Sequence, residues 1–227
     1  SQFGISDHKC LVQAWIGTDY QYAYNEMFYV LLPILACLPH GGSFYTDINS
    51  GFDKNICVKT SRILFSVAKS IASFVSAFIC VTLPLSLNLF IAAGLYPNLV
   101  PERLEFLGLG LLDRHLFTAI YSSQPALYCI IFILIDGLFA GAISLTSLSI
   151  SRSVKSHFSA VVVPMVMCIV FSVLVKGDDI SNWGIVNMLN PRQVVTTLWY
   201  QMFIAFVVIF FANLIVIYLI SRKRNVL

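Results

Sequence analysis

Residues of the types that act in catalysis or bind metal ions are few and scattered in this chain. The four histidines are far apart, and no pair of cysteines has the spacing of a zinc site. The sequence contains no phosphate-binding GxxxxGK(S/T), no zinc-protease HExxH and no GxSxG nucleophile elbow. We therefore predict no catalytic residue and no metal site. We also predict that this chain binds no cofactor and is not an enzyme.

Two acidic residues lie in or beside apolar runs. Asp136 is in the middle of ILIDGLF, where an ionised side chain at the centre of a membrane costs about 2.5–3.5 kcal/mol on insertion scales. Two interpretations of Asp136 stay open: it lines a pathway, or it is neutral and hydrogen-bonded and pins two helices together. Glu26 lies near the end of its apolar run beside Tyr22, Tyr24 and Tyr29. That position favours an interfacial anchor over a pathway or helix-pinning role.

The most polar segment is 46-TDINSGFDKNICVKTSR-62, between two apolar runs. A helix over this segment would place one set of side chains on a common apolar face, namely Ile48, Phe52, Ile56 and, with a small offset, Lys59. Asp53, Lys54 and Asn55 would lie on the other sides. Such a helix can dock in a groove of a partner protein, or it can lie on lipid headgroups. Both interpretations stay open.

The composition indicates a membrane protein. The 227 residues are 58% hydrophobic and 11% charged, and the mean hydropathy is +0.84. Soluble domains average about 45–50% apolar and about 25% charged residues, so lipid must be the solvent for much of this chain. Four of the cysteines lie inside apolar runs, and we interpret them as small buried hydrophobic residues: Cys37, Cys80, Cys129 and Cys168. The basic residues are too few for a nucleic-acid site.

Apolar runs predict an all-α fold with a single transmembrane domain. About 20 apolar residues are needed to cross a bilayer as a helix, and a lone segment in lipid must satisfy its own backbone hydrogen bonds. We predict five spans, at 25–44, 64–96, 124–150, 157–175 and 198–220. The first is the weakest, because Pro33, Pro39 and the Gly41–Gly42 pair can bend it.

Loop charge predicts the orientation. Basic residues outnumber acids in 45–63 and the helix start after it, in the 151–156 link and in the C-terminal tail. In the segment before the first span and the loops at 97–123 and 176–197 taken together, seven acids face five basic residues. Cytoplasmic loops are enriched in Lys and Arg, so 46–62 and the C-terminus are predicted to be cytoplasmic. The segment before the first span is then external. We therefore expect a sixth span, the first in order, to precede Ser1 in the natural protein.

The stretch from 28 to 69 resembles the permeases of ABC-2 type exporters, the membrane subunits of bacterial ATP-binding-cassette transporters. The resemblance lies in a proline-containing span, an acid, Ser-Gly-Phe, Lys-Asn-Ile, a basic residue, Ser-Arg, and a new span with Lys69 near its start. The family often has Arg where this chain has Lys59, and Lys docks less rigidly on a carboxylate. The resemblance implies a six-span fold. It also implies that 46–62 is a cytoplasmic coupling helix that docks on a separate ATPase subunit.

The resemblance implies a site and a set of partners. The expected ATPase-coupling residues are Asp47, Ile48, Gly51, Phe52, Lys54, Asn55, Ile56, Lys59 and Arg62. A second permease copy would complete the transporter in the bacterial cytoplasmic membrane, with ATP and Mg²⁺ held by the ATPase. The expected substrate is amphipathic: a peptide, a drug or a lipid-like molecule. The alternative is a stand-alone multi-span immunity or accessory protein without an ATPase.

Overall fold

The described part of the chain consists of helices, turns and short connections. The structure is a computed structural model that describes residues 10–18, 24–52, 55, 60–97, 116–152, 154, 156–175, 183–191 and 197–223. The helices are α1 (Leu11–Ala14), α2 (Tyr24–Cys37), α3 (Ser43–Asn49), α4 (Arg62–Leu95), α5 (Thr118–Ser123), α6 (Pro125–Ile150), α7 (His157–Leu174), α8 (Ile185–Leu189) and α9 (Trp199–Lys223).

Four of these helices are long and apolar enough to cross a membrane. They are α4 with 34 residues, α6 with 26, α7 with 18 and α9 with 25. Their ends lie within three residues of the spans predicted from the sequence, and α4 continues through Pro84. Helices α4, α7 and α9 expose many large apolar side chains, a pattern that suits contact with lipid better than contact with water. These helices suggest a multi-pass membrane protein.

The predicted first span differs from the structure. The sequence predicted one span over 25–44, but α2 ends at Cys37 after 14 residues. A hydrogen-bonded turn follows, in which the Gly41 amide donates to the Cys37 carbonyl at 2.7 Å, and α3 begins at Ser43. A helix of this length rises about 21 Å, which is shorter than the roughly 30 Å hydrocarbon core. The interruption comes at Pro39 and the two glycines, whereas Pro33 lies within the helix.

Helix α6 is the centre of the bundle and packs against α2, α4, α7 and α9. Small hydroxyl side chains join it to three of them. Ser144 donates to the Ser73 carbonyl of α4 at 3.1 Å, Ser147 to the Ala160 carbonyl of α7 at 2.6 Å, and Ser149 to Oδ1 of Asn213 in α9 at 3.3 Å. Small residues let helix backbones approach closely in lipid, where water does not drive association. The serines within the apolar sequence of α6 therefore form its contacts with three neighbouring helices.

The described loops lie at the two ends of the bundle. The basic-rich loops are at one end, and the loops on the acidic side of the charge pattern are at the other. The Gly41–Gly42 turn, the start of α4, the α6–α7 link and the end of α9 meet at one end, through contacts described below. At the other end, the Leu11 amide donates to the Pro97 carbonyl, and the hydroxyl of Tyr128 donates to the Pro191 carbonyl at 2.7 Å. The basic-rich loops thus share one end of the structure. That this end is cytoplasmic remains a prediction.

Candidate functional site

The candidate coupling site is built around α3, at the basic end of the bundle. Helix α3 follows Gly41 and Gly42, both buried. A Cβ atom on Gly41 would overlap the Ser147 hydroxyl of α6, and one on Gly42 would overlap the imidazole of His157 in α7. Only glycine allows the chain to approach these two helices so closely. The start of α3 is therefore fixed against the end of α6 and the beginning of α7.

An ion pair attaches α3 to the long helix α4. The ammonium group of Lys69 pairs with the Asp47 carboxylate, and their side chains are only 12% and 19% exposed. The same ammonium donates to the Ser43 carbonyl at 2.9 Å. It also lies 4.7 Å from the ring centroid of Phe44 and 5.4 Å from that of Phe65. Lys69 thus holds α3 by charge, by a backbone hydrogen bond and by cation–π contacts.

A second attachment runs through Arg152, two residues after the end of α6. Its guanidinium lies 3.8 Å from the ring centroid of Phe44, which is 2% exposed. It also donates to the hydroxyl of Ser66 in α4 at 2.7 Å and to that of Ser221 in α9 at 3.1 Å. The two serine oxygens are 2.8 Å apart. One planar guanidinium therefore joins α3 to three of the candidate membrane-spanning helices, a role that suits Arg better than Lys.

The helix predicted over 46–62 is interrupted between Ile48 and Phe52, and the other two members of its predicted apolar face, Ile56 and Lys59, lie outside the described residues. Helix α3 ends at Asn49, and Gly51 has φ +72°, a left-handed conformation that favours glycine and breaks the helix. As a result Ile48 turns toward the bundle and lines a cavity of 20 Å³ with Arg62 and Phe65. Phe52 lies beyond the break and is 50% exposed. The two side chains therefore do not form one continuous face.

Of the nine predicted coupling residues, Gly51 is at the break in the helix, and the other eight fall into three groups. Asp47 and Ile48 face the bundle, and Arg62 is half-buried at the first turn of α4. Phe52 and Asn55 are exposed, with helical backbone. Lys54, Ile56 and Lys59 lie outside the described residues. Sequence reasoning missed Phe44 and Arg152, because no local pattern indicates a contact between residues 108 positions apart.

Asp136 is fully buried in α6 and meets α2. The hydroxyl of Tyr29 donates to Oδ2 of Asp136 at 3.2 Å. Oδ1 has no hydrogen-bond partner among the described residues. No basic residue in a predicted span could pair with Asp136, and its partner is instead a tyrosine 107 residues away. Glu26, one turn before Tyr29, is exposed and does not join this pair.

A polar cluster closes the opposite end of the bundle. The amide of Asn25, at the start of α2, donates to the Ile16 carbonyl at 3.0 Å and also to the carbonyl of Gly17. Its oxygen accepts a 2.9 Å bond from Asn190. The Ile16 amide in turn donates to Oδ1 of Asn88, near the end of α4. These bonds satisfy buried polar groups and hold the start of α2 on the rest of the bundle.

An apolar cavity of 330 Å³ opens between α6, α7 and α9. Trp183 and Ile185, from the connection before α9, line one part of it, and Thr146 contributes a hydroxyl. No charged side chain is among the described residues that line it. Its volume is at the lower limit of those of small-molecule sites. Its lining suits a neutral, apolar group.

Among the residues that the structure describes, no cluster of His, Cys, Asp and Glu could hold a metal ion. Four cysteines interpreted as buried hydrophobic residues are free thiols, with Cys37, Cys129 and Cys168 buried and Cys80 half-buried. This confirms the interpretation for the three buried ones and makes Cys80 a residue at the edge of the core.

The fold and site define an all-helical protein with four candidate membrane-spanning helices and a short helix fixed at one end. Comparison with protein-family models, with curated proteins and with solved structures gives no match. The features that bear on function are therefore the geometry of α3 and its surroundings and the sequence of residues 46–62.

Proposed function

We propose that this chain is the membrane-spanning permease subunit of an ATP-driven exporter. A separate ATPase subunit would dock on the coupling segment, residues 46–62, at the cytoplasmic end of the bundle. ATP and Mg²⁺ would be bound by that ATPase, and a second permease copy would complete the pathway. The resemblance of residues 28–69 to ABC-2 type permeases supports this proposal.

The observation that carries the proposal is the rigid attachment of α3 to several spans at once. A docking element transmits force only if it moves together with the helices that must rearrange. Lys69 fixes α3 to α4, and Arg152 fixes it to α4, α9 and the end of α6 through contacts of 3.8 Å or less. A push on α3 would therefore reach three spans without passing through a flexible loop. A loop that merely connects two helices has no need of such attachments.

The exposed residues just beyond α3 provide the surface for a partner. Gly51 has a left-handed conformation that interrupts the helix, and Phe52 and Asn55 after it are exposed. A half-exposed phenylalanine beside polar residues is the kind of anchor that fills a pocket on a partner protein. The docking surface is thus the part of the coupling segment after Gly51, and Asp47 and Ile48 belong to the attachment instead.

The lining of the 330 Å³ cavity supports the expected substrate class, an amphipathic molecule. Met167, Phe171 and Trp183 can contact an apolar group, and no described lining residue can pair with a charge. An amphipathic substrate could place its apolar part here while its polar part remains at the membrane surface. The cavity lies between α7 and α9, both of which are candidate spans.

The inward orientation of Asp47 and Ile48 favours a second candidate, a stand-alone membrane protein of the immunity or accessory type. With these two side chains used inside the chain, less of α3 is left for an ATPase. In that case Phe52 would insert among lipid headgroups beside the basic residues of the segment. The two candidates differ in whether an ATPase is bound.

Replacement of Phe52 by Asp is expected to remove the ATPase from the purified complex. The full-length protein, tagged at its C-terminus, would be solubilised with mild detergent from the cells that produce it. We expect the wild-type protein to retain a stoichiometric ATP-hydrolysing subunit and the Phe52→Asp variant to retain less than about one tenth of it. Loss of one buried aromatic anchor at an interface typically costs at least 2 kcal/mol in binding, which is more than tenfold.

Phe158→Asp is the matched control. Phe158 is 75% exposed and lies one residue after His157, which contacts the turn before α3. It is therefore an exposed phenylalanine at the same end of the bundle but outside the coupling segment. Equal loss of the ATPase in both variants would argue against a specific docking surface. Absence of any ATPase in the wild-type preparation would support the stand-alone protein.

A further inference from the structure

The buried pair of Asp136 and Tyr29 has no role in the coupling site. Asp136 is 0% exposed and Tyr29 is 1% exposed. The 3.2 Å hydrogen bond from the Tyr29 hydroxyl to Oδ2 of Asp136 joins the middle of α6 to α2. An ionised carboxylate here would have one donor, and Oδ1 would have none among the described residues. Burying a charge with so little compensation costs several kcal/mol, so the geometry favours the neutral carboxylic acid.

Among the described residues, no counter-ion lies at the level of Asp136. The titratable groups described beside the pair are Tyr128 and Cys129, which lie on the same helix as Asp136. None of these carries a positive charge. The charged and histidine side chains of the described helices that pack on α6 belong to their first or last few turns: Glu26 on α2, Arg62 and Lys69 on α4, His157 on α7, and Arg222 and Lys223 on α9. A proton is therefore the cation that this site can bind.

Helix α2 is weakest at the residue that contacts Asp136. Pro33 lies inside α2 and has no backbone N–H, so the carbonyl of Tyr29, four residues earlier, lacks its intrahelical hydrogen bond. A helix bends most readily where such a bond is missing. The bend would move the Tyr29 side chain relative to α6. Tyr29 is therefore both the residue that contacts Asp136 and the residue whose backbone carbonyl lacks a helical hydrogen bond.

We propose that Asp136 is a proton-binding site whose access is controlled by the bending of α2 at Pro33. In the packing described here the carboxyl is protonated and held against Tyr29. When α2 bends away from α6 and water reaches the site, the O–H bond of the carboxylic acid breaks. Its electron pair stays on the carboxylate, and the proton passes to water as hydronium. The return of α2 reverses the step.

This site also has a direct connection to α3. Helix α2 leads through the Gly41–Gly42 turn into α3, and Lys69 and Arg152 fix α3 to the spans. A displacement of α3 would therefore pull on the end of α2 that follows Pro33. Proton binding by Asp136 does not require an ATPase, so its test is independent of the proposed function.

Infrared spectroscopy of the purified full-length protein in lipid nanodiscs tests the site. We expect the carbonyl stretch of a protonated carboxylic acid at neutral pH in the wild-type protein and in Glu26→Gln, and its absence in Asp136→Asn. In Tyr29→Phe the band is expected to remain and to shift to higher frequency, because one hydrogen bond is lost. The Tyr29→Phe variant keeps the test informative if Asp136→Asn does not fold.

The rate of proton exchange tests the control by α2. After dilution into heavy water, the band shifts as deuterium replaces the proton. Pro33→Ala restores the missing backbone bond, so we expect exchange to slow roughly fivefold, the factor expected of one net hydrogen bond. Pro84→Ala changes an exposed proline in α4, not in α2, and should leave the rate unchanged. A wild-type spectrum that lacks a protonated carboxyl band, or a band that is unchanged in both Asp136→Asn and Tyr29→Phe, would overturn the proton site. Equal exchange rates in Pro33→Ala and wild type would overturn the control by α2.

Discussion

Replacing Lys69 with Met is expected to release α3 from the bundle and to raise amide hydrogen exchange in residues 43–49 about tenfold. The change removes the ion pair with Asp47, the bond to the Ser43 carbonyl and the cation–π contacts with Phe44 and Phe65. It also leaves the Asp47 carboxylate partly buried without its partner, which costs on the order of 1–3 kcal/mol. Mass spectrometry of peptides that cover α3 would measure the effect.

Two further variants separate the ion pair from a general loss of stability. The exchanged pair Asp47→Lys with Lys69→Asp restores opposite charges but not the bond to Ser43, so we expect it to recover part of the protection. Arg222→Met removes an exposed basic residue at the end of α9 and should leave α3 unchanged. Exchange in α3 that is equal in wild type and Lys69→Met would contradict the attachment of α3 to α4. The proposed transmission of force would then have no basis.

The second large effect is expected at the contact between α4 and α6. A Cβ atom on Gly141 would lie 2.6 Å from the ring of Phe74, and one on Gly137 would overlap Thr82 and Phe78. We expect Gly141→Leu to lower the midpoint of thermal unfolding in detergent by roughly 5–10 °C, because overpacking costs about 1–3 kcal/mol and each kcal/mol corresponds to about 2–4 °C in a chain of this size. The ring of Phe74 cannot simply turn away, since it also packs against Phe210.

Gly94→Leu is the matched control for this prediction. Gly94 is in the last turn of α4, and a Cβ atom there would meet nothing within 4 Å. Leucine is the better helix former, so we expect the midpoint to stay the same or to rise slightly. Thermal midpoints that fall equally in Gly141→Leu and Gly94→Leu would show that the α4–α6 contact is not close enough to exclude a side chain.

The long apolar helices could be predicted from sequence because each depends on local composition. Runs of apolar residues without charge identified α4, α6, α7 and α9, and the Lys and Arg pattern separated the loops of the two ends. Both signals can be read within one segment. The end of α2 at Cys37 was less predictable, since Pro33 is tolerated inside the helix and Pro39 with the glycines is not.

The site was harder to predict because it depends on contacts between distant segments. The bond between Tyr29 and Asp136, and the contact of Arg152 with Phe44, join residues about a hundred positions apart, and helical periodicity does not report such pairs. The left-handed conformation of Gly51 had a local signal, since glycine is the residue that adopts it most easily. A helical register continued through Gly51 places Ile48 and Phe52 on one face, whereas the structure interrupts the helix between them.

Site-specific photo-crosslinking at position 52 tests the central proposal most directly. A photoreactive phenylalanine analogue would replace Phe52 in the full-length protein in its native membrane, and an equivalent analogue at Phe158 would serve as control. We expect light-dependent adducts with an ATP-hydrolysing subunit from position 52 and none from position 158. Adducts with lipid alone from position 52 would contradict docking of an ATPase on this segment and would favour a stand-alone membrane protein.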